Sequence, residues 1–149
     1  MRIRERRKQA YAAHSFRPGE DERRVKAIVK LSQGFKGERL LDVGCGDGSM
    51  AVLVGRAIGA KEVFGVDISP RAVSEAREKG VNALELDIEE APLPFPEVHF
   101  DVVLINNLLH HLYDPDHLLD ELYRVMKPQA VGICSNRNLG AWHNRLALL

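Results

Sequence analysis

Leu40-Leu41-Asp42-Val43-Gly44-Cys45-Gly46-Asp47-Gly48 reads as a buried strand running into a glycine turn. The apolar run Leu40–Val43 has one acid inside it. The turn suits glycine, which populates positive φ at no steric cost. Met50, Val52, Leu53, Ala57 and Ile58 then follow in a helical pattern. Strand, glycine turn and helix together aim backbone N–H groups and a helix N-terminus at a nucleotide-like ligand. The spacing is G-x-G-x-G. A dinucleotide fingerprint, G-x-G-x-x-G/A, would put its third small residue on Ser49, so the pattern points away from NAD.

Upstream, Arg17-Pro18-Gly19 is a turn signal, and Val25, Ile28, Val29 and Leu31 recur at helical spacing from about Asp21. Downstream, Lys61–Asp67 reads as a second buried strand ending in an acid, and Ser69-Pro70 opens a helix with an N-cap and a proline at its first position. Val81–Asp87 contains a third strand, again acid-ended. Pro92, Pro94 and Pro96 forbid a regular helix between it and a fourth strand at Phe100–Ile105. Asp114-Pro115 starts a helix whose inner face is Leu118, Leu119, Leu122, Val125 and Met126, and Lys127-Pro128 ends it. Val131–Cys134 is a fifth strand, and the tail from Asn136 to Leu149 carries Trp142 and one short helix.

Strands alternating with helices give an α/β fold: a doubly wound parallel sheet with helices on both faces. Ligands in such sheets sit at the carboxyl ends of the strands. The polar residues stand at those ends: the turn Gly44–Gly48, Asp67, Asp87 and Asn106-Asn107.

The chain of 149 residues, 45% hydrophobic and 28% charged, suits one soluble domain, and no apolar run reaches a membrane span. The basic start lacks a signal-peptide core, which places the protein in the cytoplasm. Cys45 and Cys134 are isolated and read as small buried residues. The net charge of zero hides an asymmetry: residues 1–39 hold 12 Lys+Arg and 5 Asp+Glu, and residues 40–149 hold 9 and 16. The basic arm reads first as a solvated helix surface and second as a contact for nucleic acid. Residues 1–37 are accordingly taken as a basic helical segment, and 38–149 as the ligand-binding domain.

Asp42–Gly48, Val66-Asp67-Ile68-Ser69, Leu86-Asp87, Phe100–Val103, His110-His111-Leu112 and Arg124–Pro128 occur in one order. Together they resemble the class I S-adenosylmethionine-dependent methyltransferases, with a Rossmann-like sheet. The likeness is greatest to the small-molecule group that includes the ubiquinone and menaquinone biosynthesis enzymes. It covers about residues 38–136. The resemblance implies S-adenosylmethionine as cofactor, S-adenosylhomocysteine as product, and methyl transfer by in-line displacement to a small molecule, or alternatively to tRNA. It implies that Gly44, Cys45, Gly46 and Gly48 form the turn approached by the methionine part, with Asp42 as its anchor. It assigns the ribose hydroxyls to Asp67, adenine packing to Ile68, the adenine amino group to Asp87 and the ring to the Ile88 N–H. Asn106 falls where a backbone carbonyl holds the cofactor's amino group. Taken singly, Gly44 could end a strand, Asp67 could cap a helix and Asp87 could be a loop acid; their joint placement favours a site.

His110 and His111 follow the fourth strand beside the methyl-donor position. His110 is the candidate general base, and His111 reads as a packing residue. The run from His110 to His117 matches no standard zinc spacing, so no metal is expected. Asp101, early in its strand, reads as structural. Gln129-Ala130 stands where many relatives carry Gly-Gly. The family sheet has seven strands and this reading ends at five. A fifth strand left at the border would seek a partner, so a homodimer burying it or the tail is expected. The rival function is a non-catalytic cofactor-binding or scaffold module of the same fold.

Overall fold

In the computed structural model, which describes residues 20–136, five segments pair side by side. They are β1 (Arg39–Val43), β2 (Glu62–Asp67), β3 (Asn82–Glu85), β4 (Phe100–Asn106) and β5 (Met126–Ser135). All pairings are parallel and the order is β3-β2-β1-β4-β5. Every carboxyl end therefore lies on one edge, and the chain reverses direction across the sheet between β1 and β4. Among the described residues, four α-helices alternate with the strands: α1 (Glu20–Ser32), α2 (Ser49–Ile58), α3 (Pro70–Glu78) and α4 (Pro115–Val125). The expected α/β Rossmann-like architecture is present. The expectations for residues 1–18 and for the tail with Trp142 lie outside the described residues.

Side chains alternate across the strands. Leu40, Val102, Leu104 and Ile133 face one way and pack with Ile28 of α1 and Val54 and Ile58 of α2. Leu41, Val43, Val103 and Ile105 face the other way and pack with Leu118, Leu122 and Val125 of α4. A third cluster joins Cys45 and Ala51 to Val73 and Ala76 of α3. α1 is thus part of the core's cover, through Ile28.

Three burial assignments are corrected. Leu31 is 61% exposed, and Ser32 takes the inward position instead, at 0% exposure. The helical spacing Val25-Ile28-Val29-Ser32 is the true inner face; the buried hydroxyl is satisfied by donating to Ile28 O at 2.7 Å. Leu119 is likewise exposed, one position off the α4 stripe formed by Leu118, Leu122 and Val125. Cys134, read as buried, is exposed on the sheet face opposite Ile133.

The connection from β3 to β4 is helix-free, as its prolines require, and crosses the α4 face of the sheet. Leu93 and Phe95 sink into that core. Phe95 meets Phe64 and Phe100 edge-to-face, with ring centroids 5.7 and 5.0 Å away. Arg124 holds the loop's backbone: Nη1 donates to Phe95 O (2.8 Å) and Nη2 to Leu93 O (2.9 Å). Glu121 accepts both from Arg124 and from Leu93 N–H (2.8 Å). The Arg124 guanidinium holds the Glu121 carboxyl below the usual carboxylate range. A fork of donors thus replaces the missing helical hydrogen bonds of this segment.

At the amino-terminal edge Asp101 is structural, as expected. Its Oδ2 accepts from Glu38 N–H and Arg39 N–H, both at 3.0 Å, and Lys127 Nζ donates to Oδ1 at 2.6 Å. Although burial opposes ionisation, these donors hold the carboxyl below its ordinary value.

The helix α4 ends at Val125, and β5 begins earlier than expected, at Met126. It pairs Phe100↔Met126 and then Val102↔Val131, so four residues of β5 stand opposite one of β4. Gln129, inside that bulge, has φ 92°. The position keeps the left-handed backbone that glycine would favour, at a cost of about 1–2 kcal/mol for an L-residue. Gln129→Gly is therefore expected to stabilise the fold by up to about 1 kcal/mol, raising Tm by a few degrees in thermal denaturation. An unchanged or lower Tm would show that the bulge carries no such strain.

Candidate functional site

The turn after β1 is tied down by backbone and side chain together. Gly44 N–H and Cys45 N–H both donate to Val66 O, at 2.8 and 3.0 Å. Gly46 N–H donates to Asp67 Oδ2 at 2.9 Å, and Ser69 N–H to Asp67 Oδ1 at 2.8 Å. The acid ending β2 therefore orients both the glycine turn and the start of α3. Each of its oxygens is engaged by one backbone donor and keeps a lone pair for a ligand.

Gly44, Gly46 and Gly48 have φ of 72°, 53° and 75°. At Gly48 a Cβ would lie 2.9 Å from Ala76 Cβ and 3.0 Å from Ala76 Cα, so α3 packs directly on this glycine. At Gly46 a Cβ would meet nothing within 4 Å. One glycine serves packing and the other faces open space at the strand ends. Lys79, at the end of α3, closes the turn's far side by donating to Asp47 O and Ser49 Oγ, both at 2.9 Å, and by pairing with the Asp47 carboxylate. Burial opposes the Asp47 charge, but Lys79 and Ser49 outweigh it and hold the carboxyl below its usual range.

Cys45 points into the α3 cluster rather than into the crevice; Gly65 admits it, since a Cβ there would lie 2.7 Å from Cys45 Sγ. Burial, with Asp42 and then Asp67 adding, pushes its thiol well above the ordinary value. Asp42 is 1% exposed and its Oδ1 accepts no hydrogen bond among the described residues. The side-chain contact that pins the turn is made by Asp67. Asp87, just past β3, is 6% exposed, and its Oδ1 accepts from Glu89 N–H at 3.2 Å. Ile68, next to Asp67, and Ile88, next to Asp87, are half-buried, and Ile88 packs against the α4-side core.

At the other side of the crevice, Asn106 Oδ1 accepts from Ser135 Oγ at 2.6 Å. Asn107 N–H donates to Ser135 O at 2.7 Å, and Asn107 has φ 58°. Its Oδ1 is buried with no hydrogen-bond partner among the described residues. The pattern of polar strand ends offers Asn106 and Asn107 together; the φ and the orphaned amide oxygen set Asn107 apart within that pair. A short 3₁₀ helix, Leu109–His111, then presents His110, whose Nδ1 lies 3.3 Å from Asn136 Oδ1 and whose ring centroid is 3.9 Å from that of His111. Among the described residues no group of three or more metal-ligating side chains converges.

Residues 41–134 match the family described as a methyltransferase domain. The chain belongs to the class I S-adenosylmethionine-dependent methyltransferases. It is 36% identical over 109 residues to a 2-phytyl-1,4-naphthoquinone methyltransferase of Synechococcus elongatus, covering 68% of this chain and 47% of that protein. It is 33% identical over 126 residues to a demethylmenaquinone methyltransferase of Listeria monocytogenes, covering 78% and 53%. The chain thus spans about half the length of the curated relatives it matches. Among solved structures, the PH0226 protein of Pyrococcus horikoshii aligns with TM-score 0.72 at 28% identity, over 86% of this chain and 59% of that one. A Haloferax volcanii methyltransferase, solved in complex with the activator Trm112, aligns with TM-score 0.63 at 27% identity, covering 74% and 51%.

The crevice of this methyltransferase fold fits the family's cofactor. The space before Gly46, the spare lone pairs of Asp67, and the buried acceptors Asp42 Oδ1 and Asn107 Oδ1 together suit a ligand rich in N–H and O–H donors. The two glycines differ in what surrounds them, α3 at Gly48 and open space at Gly46. Gly48→Ala is expected to destabilise the fold by about 2 kcal/mol or more, through the clash with Ala76 and the left-handed φ. Gly46→Ala should cost only the φ penalty, about 1–2 kcal/mol, while putting a methyl group into the crevice. Denaturant melts of both variants, beside cofactor titration of Gly46→Ala, check this; equal losses of stability would refute the division.

Proposed function

We propose that the protein transfers the methyl group of S-adenosylmethionine to a small-molecule acceptor, with a reduced quinone ring as the favoured class. The convergence of the glycine turn, Asp67, Asp87 and Asn106-Asn107 at one edge of the parallel sheet carries this reading. Two relatives that methylate naphthoquinone-type rings support the acceptor class.

When bound, S-adenosylmethionine supplies a methyl group already activated on a sulfonium. The chain's own work is then binding, alignment and exclusion of water. Asp67 accepts the ribose hydroxyls through the lone pairs its backbone donors leave free. Asp87 accepts the adenine amino group, Ile88 N–H meets the ring, and Ile68 packs on it. The Asn106 backbone carbonyl receives the ammonium. The floor of the crevice is made by Gly44 and Gly46, while Cys45 contributes its backbone.

His110 is proposed as the base. The Asn136 amide oxygen beside Nδ1 favours the tautomer with the ring proton there, in which Nε2 offers a lone pair to the acceptor's hydroxyl proton. His110→Ala is expected to lower turnover by about 100-fold or more while leaving cofactor affinity within a few-fold. A loss of stability with near-normal turnover would make the histidine structural.

Asp67→Ala should weaken cofactor binding at least about tenfold by calorimetry, since two charge-assisted hydrogen bonds are lost. It should also lower Tm, because Gly46 and Ser69 lose their acceptor. Unchanged affinity in a folded variant would remove Asp67 from the site. Labelled S-adenosylmethionine offered with 1,4-naphthohydroquinone and with bulk tRNA tests the reaction. Label entering the quinone is expected, whereas label entering only tRNA, or binding without transfer, would overturn the small-molecule reading.

A further inference from the structure

Asp42 is an acid within the central part of the sheet, 1% exposed, on a strand flanked on both sides by neighbours. Its Oδ1 is buried without a hydrogen-bond partner among the described residues. Among the described residues, the charged groups of the surrounding elements bring it no cation. Asp67, at the end of β2, acts on it as a second acid. Cys45, in the turn, is a buried thiol held un-ionised. α2 carries one charged side chain, Arg56, in its last turn, away from the glycines. Lys79 of α3 is paired with Asp47, and Lys127 of β5 with Asp101 at the opposite edge of the sheet. None of the basic side chains of α1, Arg23, Arg24, Lys26 and Lys30, acts on it.

A carboxylate in this place would be a buried negative charge without a partner, facing another negative charge. Burial first, and Asp67 second, hold the Asp42 carboxyl well above the ordinary carboxylate range. We infer that Asp42 is uncharged in the free protein and gives its proton to solvent when a ligand brings a cation into the crevice, the new carboxylate then facing that cation. The inference rests on the proposed cofactor, which carries an ammonium in both its substrate and product forms and a sulfonium in the first. Only the carboxyl O–H bond breaks, and the proton passes to buffer. Cofactor binding by this fold is thereby linked to pH at a residue that touches neither the methyl acceptor nor the base.

Two measurements test it. In the first, S-adenosylhomocysteine is titrated calorimetrically at pH 6 in two buffers of different ionisation enthalpy. The wild-type protein should release close to one proton per ligand, and Asp42→Asn should release none and bind at least about tenfold more weakly. Wild-type heats that do not depend on buffer overturn the linkage alone. No binding heat at all overturns the cofactor reading, and the linkage with it. The wild-type arm needs no variant, so it decides even where the substitution prevents folding.

The second measurement uses no ligand. An acid whose folded value is raised favours folding below its unfolded value, near pH 4, and loses that contribution as pH rises through the folded value. The folding constant of Asp42→Asn relative to wild type should therefore climb about tenfold per pH unit above pH 4, until the folded carboxyl ionises. A ratio that stays flat between pH 4 and pH 8 shows Asp42 already charged and overturns the proposal.

Discussion

The fold of this site depends on how the end of β2 holds the turn that follows β1. Val66 O takes two backbone donors from the turn, and the Asp67 carboxylate takes a third from Gly46. A left-handed glycine turn offers its N–H groups outward and has no ladder of its own, so an outside acceptor must fix it. Parallel pairing of β1 with β2, in the register Val43↔Val66, brings that acceptor to the right height. The same carboxylate starts α3 through Ser69, which is why α3 can press Ala76 against Gly48. Strand register, turn and helix packing are thus one coupled unit.

The opposite wall is built by different means. The β3–β4 connection has no helix, and a bare loop over a sheet would leave backbone groups unsatisfied. Arg124 and Glu121 satisfy three of them, and the rings of Phe64, Phe95 and Phe100 fill the space beneath. This wall follows directly on Asp87, so the fork on α4 sets where the adenine end of the proposed cofactor would rest. Asp101 and Lys127 tie the far edge of the sheet, opposite the glycine turn.

The polar groups of the crevice fall into two kinds. Asp67 and Asn106 are engaged by other parts of the protein and stand pre-oriented. Asp42 Oδ1 and Asn107 Oδ1 are buried acceptors without donors among the described residues. Orphaned acceptors cost stability, and proteins keep them chiefly where a ligand completes them. Asn107 adds a left-handed φ, a form of backbone strain that gathers at binding sites.

Much of this was legible in the sequence, and for a definite reason. Buried parallel strands show as apolar runs, their ends show as acids and amides, and prolines forbid helix between Asp87 and Phe100. Those are local rules, and they place five strands, the glycine turn and the acids Asp67 and Asp101 on the sheet, with Asp87 just past β3. The rest depends on neighbours distant in the chain. Which of Leu31 and Ser32 turns inward depends on the azimuth at which α1 meets the sheet. That Asp67, and not Asp42, grips the turn follows from strand register. That Arg124 clamps a loop some thirty residues away, and that Asp42 is left without a cation among the described residues, are set by which side chains the packed elements bring together. Local chemistry in the sequence determined what the strand ends would carry; only the tertiary structure decided which of those groups hold the protein together and which stand ready for a ligand.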